Sequence, residues 1–287
     1  MPNPVFLTAD GLTDIGRKRQ NNEDAWWVGQ FPGAHLFMDR GEAPLQFELA
    51  AGPVMLLVSD GVGGANAGEV ASRMAAEGIA GELRRTRDAL VAAGSAREAI
   101  LSAVVSTNNA ITSKARESGF EGMCATLSLL CFGADGMARW QQVGDSRIYL
   151  SRRGQLRQLS RDHSPVGRLR HEGVLSEAEA RSHPLRNQID QSLGDSRMSF
   201  LPEGGEEPFQ PGDVFLVCSD GLSDGLWDRQ IGDILSGVKS PDLVRPCLDK
   251  LVANAKSASG RDNITALLAL VEPRRRTIWG GIVRKAG

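Results

Sequence analysis

Two short apolar runs, VMLLV at 54–58 and VFLVC at 214–218, are each followed directly by Ser-Asp-Gly. Short runs rich in β-branched and aromatic residues, bounded by turn residues, are typical of buried strands. An Asp-Gly pair after a strand favours a turn. The sequence therefore predicts that Asp60 and Asp220 lie at sharp turns at the edge of a sheet.

The segments around these two runs predict a mixture of strands and helices. Further strands are expected at 124–132, 137–150, 154–159 and 264–271, the first two forming a hairpin. Helices are expected at 66–93, 95–117, 176–182, 228–236 and 241–257. Strands joined by short turns pair antiparallel, and helices cover sheet faces. The pattern predicts an α+β fold, an antiparallel two-sheet sandwich with helices outside.

Length and composition favour one folded domain. The 287 residues could form one large domain or two small ones, but no repeat or linker divides them. A formal net charge of −2 argues against non-specific nucleic-acid binding. The longest apolar run, Ala266–Val271, is too short to span a membrane, and no signal peptide is recognisable. Four cysteines without zinc-type spacing indicate reduced thiols, so a cytoplasmic location is expected.

Acidic residues at turn-like positions form the most informative pattern. They are Glu23, Asp24, Asp60, Asp145, Asp220 and Asp262. Each alone reads as a turn residue, but two follow the same strand pattern. Carboxylates gathered at one sheet edge would repel one another, and divalent cations remove that penalty. Oxygen ligands without a Cys/His set indicate magnesium or manganese.

A basic run with Arg19 lies four residues before Glu23. A guanidinium beside carboxylates and metal ions suits bidentate recognition of phosphate oxygens. Together these features predict a metal-dependent phosphoester hydrolase, in which two ions polarise the phosphoryl oxygens and hold a bridging water as hydroxide.

The motifs resemble, in order, those of the type 2C (PPM) family of metal-dependent serine/threonine protein phosphatases in its bacterial form. The resemblance covers roughly residues 10–271 and rests on TDIGRKRQNNEDAWW, VSDGVGGANAGEVAS, QQVGDSRIYL followed by LSRDHS, HPLRNQIDQSLG, VCSDGLSDGLW and GRDNITALL. It implies a central antiparallel β-sandwich flanked by helix pairs, a four-layer αββα fold. It also implies hydrolysis of phosphoserine and phosphothreonine on proteins, opposing a bacterial kinase.

The resemblance assigns the core metal ligands. Asp60 and Asp220 are expected to be the central catalytic residues, with Asp60 bridging two Mn²⁺ or Mg²⁺ ions and the Gly61 carbonyl on one of them. Asp220 and Asp262 complete the protein ligands of the other ion. Glu23 holds a metal-bound water.

The resemblance also assigns supporting roles. Asp145, together with Asp220, forms a third and weaker ion site. Arg19 clamps the substrate phosphate. Asp24 supports the site from close by, and Asn263 orients Asp262.

Four segments depart from the family pattern or extend it. Val62 occupies the position at which many eukaryotic members carry a histidine proposed as general acid, so that role stays unassigned. Residues 124–126, Cys-Ala-Thr, replace the usual Gly-Thr-Thr. Residues 29–52 form a long first connection that is expected to shape the cleft. Residues 164–198 correspond to the segment beside the cleft in bacterial members, here named the flap.

The sequence divides into a phosphatase domain, 1–271, and a basic tail, 272–287, with a local charge of +4. A frayed terminus is the first interpretation of the tail; peripheral contact with anionic lipid and docking of a kinase or substrate are alternatives.

Two other functions fit the same residues. One is a phosphoprotein-binding module with little turnover, and the other is a small-molecule phosphoesterase. The presence of every expected ligand position argues against the first, and the lack of a separate nucleotide-binding motif argues against the second.

Overall fold

The computed structural model describes residues 5–33, 35–38, 41, 43–62, 67–92, 94–120, 122–198 and 200–272. The strands are β1 Phe6–Asp14, β2 Asp24–Gln30, β3 His35–Phe37, β4 Leu45–Glu48, β5 Val54–Val62, β6 Cys124–Ala125, β7 Leu127–Phe132, β8 Met137–Val143, β9 Arg147–Arg152, β10 Gln155–Gln158, β11 Glu203–Pro208, β12 Val214–Cys218 and β13 Ile264–Val271. The α-helices are α1 Ala67–Arg85, α2 Arg87–Val91, α3 Ala96–Ser118, α4 Pro165–His171, α5 Glu177–Ser182, α6 Asp220–Gly225, α7 Asp228–Leu235 and α8 Val244–Ala258.

The strands form two antiparallel sheets. The first has the order β10-β9-β12-β13-β1-β4. The second has the order β11-β8-β7-β5-β2-β3, with β6 pairing on the end of β5. In both sheets the strands that carry the acidic motifs lie at or beside the centre, where neighbours on both sides fix their positions.

Three apolar cores separate four layers, which confirms the predicted αββα architecture. Side chains of β5 alternate between two of these cores: Leu57 faces α1 and α3, whereas Leu56 faces the other sheet. Along β13, Leu267 faces the space between the sheets and Leu268 faces α8 and its neighbours. Both faces of these strands are covered, and for this reason their sequences are continuous apolar runs without polar alternation.

The long predicted helices are confirmed with one break. The segment 66–93 contains α1 and the short α2, separated at Thr86, and α3 follows. A methyl group at Gly78 of α1 would lie 3.0 Å from the Thr107 side chain of α3, so the two helices approach closely there. One turn further along α1, Glu82 accepts a hydrogen bond from the hydroxyl of Ser106, which precedes Thr107 in α3. The contacts advance along α1 as they go back along α3, so the two helices run antiparallel.

The prediction of one strand over 137–150 is wrong. The chain forms β8 in the second sheet and β9 in the first, and it crosses between them at Gly144, Asp145 and Ser146. Gly144 has φ 92°, and a Cβ there would lie 2.7 Å from the Thr126 side chain, so only glycine fits this crossing. The hairpin of β7 and β8 is confirmed.

The long connection 29–52 adds one edge strand to each sheet, β3 beside β2 and β4 beside β1. The register pairs β4 with residues 6–9, at the end of β1 opposite Asp14. Glu272, the first residue of the predicted tail, is buried and accepts a hydrogen bond from Thr8. Residues 273–287 lie outside the described part. Among the described residues, no helix has the length and apolar character needed to cross a bilayer.

Candidate metal centre

The acidic residues of both sheets meet at one end of the sandwich. Asp24 begins β2 and lies directly opposite Asp60 of β5 in the strand register. In the other sheet, Asp220 follows β12 after one serine, and Asp262 lies two residues before β13. The start of β2 and the end of β5 coincide in space because antiparallel neighbours run in opposite directions. The same geometry joins the end of β12 to the start of β13.

Asp24 connects the two sheets at this end. Its side chain is buried, and its Oδ2 accepts hydrogen bonds from the Ser219 hydroxyl at 2.7 Å and the Thr265 hydroxyl at 2.6 Å. Burial raises the pKa of Asp24 to about 6, although these two hydrogen bonds oppose the increase. Asp24 thus lies beside the site that it was predicted to support.

The prediction that both Ser-Asp-Gly motifs turn sharply at a sheet edge is wrong. Asp60 and Gly61 remain within β5, and Gly61 pairs with Ala125 of β6. Asp220 is instead the first residue of α6. The carboxylates still reach one place, because both chain segments end at the same edge of the sandwich.

Crowding of like charges dominates the electrostatics. Burial raises the pKa of Asp60 well above its usual range, and the carboxylates of Asp24, Asp220 and Asp262 raise it further. Burial likewise raises the pKa of Asp220, followed by the charges of Asp145 and its other neighbours. The pKa of Asp145 rises to about 7, again chiefly through burial. Such a cluster stores repulsion that bound cations would relieve.

Arg19 lies where it was predicted, beside the carboxylates. Its Nη2 is 2.7 Å from Asp262 Oδ2, and its side chain is half-exposed, so further N–H donors face solvent. Glu23 lies in the same loop. Burial raises the pKa of Glu23, and the charge of Arg19 opposes that increase.

Asn263 holds this loop in place. Its side-chain nitrogen donates to the carbonyl oxygens of Ile15 and Asn21, both at 3.0 Å. Its side-chain oxygen accepts from the Glu23 backbone N–H at 2.8 Å. Asn263 was expected to orient Asp262, but the contact between them is made by its backbone N–H, which donates to Asp262 Oδ1 at 2.8 Å. The side chain instead positions the loop that carries Arg19 and Glu23.

Two supporting residues escaped the sequence analysis. Asp224 lies one helical turn after Asp220 in α6, and its negative charge contributes to the raised pKa of Asp220. The repeated Asp-Gly in SDGLSDG was the available signal, since residues four apart share a helix face. Thr126 was the second omission: its hydroxyl accepts from the Asp60 N–H at 2.9 Å, and its own N–H donates to the Asp60 carbonyl at 2.8 Å.

A polar pocket opens between the acidic cluster and the flap. Asp145, Asp220 and Asp224 line one side of it. Val166 of α4 and Ala180 of α5 line the flap side. The flap therefore lies next to the carboxylates, and a substrate that reached them would contact it.

Comparison with known proteins identifies the family. The family model described as protein phosphatase 2C matches residues 44–269, which is more than half of the chain. The chain belongs to the protein phosphatase 2C family.

The relatives of this phosphatase extend over nearly its whole length. It is 34% identical over 260 residues to protein phosphatase PhpP of Streptococcus pneumoniae, covering 90% of this chain and 94% of PhpP. The serine/threonine phosphatase PstP/Ppp of Mycobacterium tuberculosis has a similar structure, with a TM-score of 0.72, 30% identity, and coverage of 93% and 99%. The PstP catalytic domain in complex with two manganese ions gives a TM-score of 0.71 and 28% identity. The match covers 93% of this chain and 99% of the PstP chain. These findings confirm the prediction of a metal-dependent serine/threonine protein phosphatase.

The described residues of this phosphatase fit a divalent cation. Asp220 Oδ1 is buried without a hydrogen-bond partner, as expected of an oxygen reserved for a metal. Within the described ranges, no three His, Cys, Asp or Glu side chains form a metal cage by themselves. A magnesium or manganese site needs fewer than three such side chains in one cluster, because water and carbonyl oxygens supply the remaining ligands.

Proposed function

We propose that this phosphatase holds two Mn²⁺ or Mg²⁺ ions through Asp60, the Gly61 carbonyl, Asp220 and Asp262, with Glu23 acting through a coordinated water. The observation that carries the proposal is the convergence of these acids from both sheets, together with the unpartnered Asp220 Oδ1. Bound ions supply charge neutralisation at the phosphoryl group and a water of lowered pKa.

The protein residues supply position and complementary charge. Arg19 binds the phosphate of the substrate through the N–H groups that its contact with Asp262 leaves available. Asn263 keeps that arginine in reach of the cluster by holding the loop at Ile15 and Asn21. Asp24 keeps the two sheets in register beneath the acids.

A third, weaker ion belongs with Asp145, Asp220 and Asp224. Burial raises the pKa of all three carboxyl groups, the charge of at least one neighbouring carboxylate raises each further, and all three line the pocket under the flap. The choice between manganese and magnesium follows from availability, because both accept oxygen ligands. Phosphorylated proteins are the substrates, and we further propose that a bacterial serine/threonine kinase supplies them in the cytoplasm.

The experiment is phosphate release from a phosphothreonine peptide with manganese, magnesium or EDTA, alongside calorimetric titration with manganese. We expect phosphate release with either ion and none in EDTA. The calorimetric titration should show two tightly bound manganese ions and a third that binds more weakly. Asp60→Asn is the inactive control, and Asp135→Asn, in a distant surface ion pair, is the matched control. Turnover in EDTA would overturn the metal assignment, and ion binding without turnover would instead indicate a phosphoprotein-binding module.

A further inference from the structure

Arg181 of the flap contacts the end of the helix that carries Asp220. Its guanidinium donates to the carbonyl oxygens of Ser223 at 2.6 Å and Asp224 at 3.1 Å, and also to that of Leu226. The side chain is 22% exposed, so these bonds are partly shielded from water. One residue of α5 thereby binds three carbonyl groups at the end of α6.

Those carbonyl groups need a partner from outside their own helix. The last carbonyls of any α-helix have no intrahelical N–H, and α6 is only six residues long. Its end carries partial negative charge, which a cation stabilises. Arg181 meets both needs at once, because a guanidinium presents several donors in a fixed plane.

Two further side chains hold the guanidinium itself, those of Glu177 and Trp227. Glu177 Oε1 accepts from Arg181 Nε at 3.2 Å and from Nη2 at 3.0 Å. The same oxygen accepts the backbone N–H of Asp228 at 3.0 Å, where α7 begins. The Trp227 ring centroid lies 4.4 Å from the guanidinium carbon, in a cation–π contact. These contacts bind α5 to the α6–α7 junction and leave Arg181 little freedom to turn away.

Helix α6 carries two of the acids, one at each end. Asp220 is its first residue, and Asp224 is the residue whose carbonyl Arg181 binds. The flap also reaches this junction through Arg170 of α4, which pairs with Asp228. A movement of α6 would therefore displace two carboxylates and the flap together.

We propose that Arg181 is a positioning residue that locks α6 to the flap and so holds Asp220 and Asp224 in the arrangement that binds ions. This inference rests on the proposed function for the ligand roles of the two acids. In this role Arg181 acts through the carbonyl groups of α6.

The first test is hydrogen exchange of the metal-free protein over residues 220–228. In Arg181→Ala we expect these amides to exchange at least about tenfold faster, because the helix end loses its donors. Arg181→Lys retains the charge but lacks the planar guanidinium, so its exchange rate over 220–228 should lie between those of the wild type and Arg181→Ala. Arg168→Ala is the matched control, since Arg168 pairs with Asp190 inside the flap and should leave α6 unchanged.

The second test is manganese titration by calorimetry, with kinetics on a phosphopeptide. Arg181→Ala should bind the weaker ion about tenfold less tightly, within the range seen when residues that orient metal ligands are removed. Its kcat should recover towards that of the wild type at saturating manganese, which a merely misfolded variant would not show.

Unchanged exchange over 220–228 in Arg181→Ala, or unchanged manganese affinity, overturns the positioning role. If Arg181→Ala does not fold, Arg181→Lys and Glu177→Gln decide by the same measurements. If instead the proposed function is wrong, the wild-type protein itself will bind no manganese. The hydrogen-exchange comparison of wild type and Arg181→Ala can still be made in that case, because it uses the metal-free protein.

Discussion

Ser59-Asp60-Gly61 and Ser219-Asp220-Gly221 are the same tripeptide after similar apolar strands, yet they adopt different structures. The first continues as β5, whereas the second starts α6. Both main-chain polar groups of Asp60 bond to Thr126, just beyond β6: the Asp60 N–H donates to the Thr126 hydroxyl, and the Asp60 carbonyl accepts from the Thr126 N–H. The pairing of β12 with β13 ends at Cys218, and the Ser219 N–H still donates to the Thr265 carbonyl. Beyond that point the chain satisfies its backbone by forming a helix.

The two serines differ in the same way. Ser59 donates its hydroxyl to the Thr126 carbonyl at 2.7 Å, within its own sheet. Ser219 donates to Asp24 at 2.7 Å and accepts the Thr265 N–H at 3.0 Å, which joins the two sheets. The difference shows that tertiary neighbours, not the tripeptide, decide what each residue does. Substitutions at equivalent positions of the two motifs can therefore test the comparison directly.

The largest effect is expected from removing the two carboxylate charges. Asp60→Asn and Asp220→Asn preserve side-chain size but lose the negative charge that attracts the ions. We expect kcat on a phosphopeptide to fall by at least about 10²–10³-fold in each, the scale of losing a major transition-state contact. Asp60→Asn should be the more severe, because Asp60 is proposed to contact both ions. A variant that retained a tenth of the activity would contradict that residue's role.

The next effect is expected at the glycines. A Cβ at Gly61 would lie 2.3 Å from the Gly68 carbonyl oxygen, and at Gly221 it would lie 2.0 Å from that of Asn263. Gly61→Ala and Gly221→Ala should each lower the free energy of unfolding by about 1–3 kcal/mol, since main-chain atoms must move. Gly81→Ala in α1 is the control, because nothing lies within 4 Å of that position. Equal stability of all three variants in urea unfolding would refute the crowding.

A smaller effect is expected on stability, where alanine substitutions of the two serines should differ in cost. Ser219→Ala removes a donor from buried Asp24, and we expect a loss of about 1.5–3 kcal/mol in the free energy of unfolding. Ser59→Ala removes a bond to a neutral carbonyl, with an expected loss of about 0.5–1.5 kcal/mol. Thermal and urea unfolding at neutral pH measure both. The reverse order would show that Ser219 does not join the sheets energetically.

The smallest effect concerns pH in the absence of metal. The folded-state pKa values of Asp24, about 6, and Asp145, about 7, lie above that of an unfolded aspartate, about 3.9. Between these values the folded protein binds more protons than the unfolded chain, so its stability should decrease as pH rises from about 4 to about 7 and change little above that. Urea unfolding in EDTA at pH 5.5 and 8 measures this decrease, which Asp145→Asn should reduce. An identical pH dependence in that variant would contradict the raised pKa of Asp145.

Sequence reasoning succeeded where local pattern and chemistry agree. The apolar runs of β5, β12 and β13, the helices α1 and α3, and the acids gathered at one edge were all predicted. It failed at 137–150, because no local signal shows a strand leaving one sheet for another. It missed Asp224 because the helix that brings Asp224 beside Asp220 was read as a turn.

The sequence by itself determined the two-sheet sandwich with helices outside and the divalent-metal chemistry, since burial patterns and clustered oxygen donors are properties of residue type and order. Its ordered motifs also determined the family. Tertiary structure decided that one Ser-Asp-Gly stays in a strand while the other opens a helix. It also decided that Asn263 holds the Arg19 loop and that Arg181 caps α6. Backbone donors and acceptors are satisfied by whichever groups lie nearest in space, and the sequence does not show those distances.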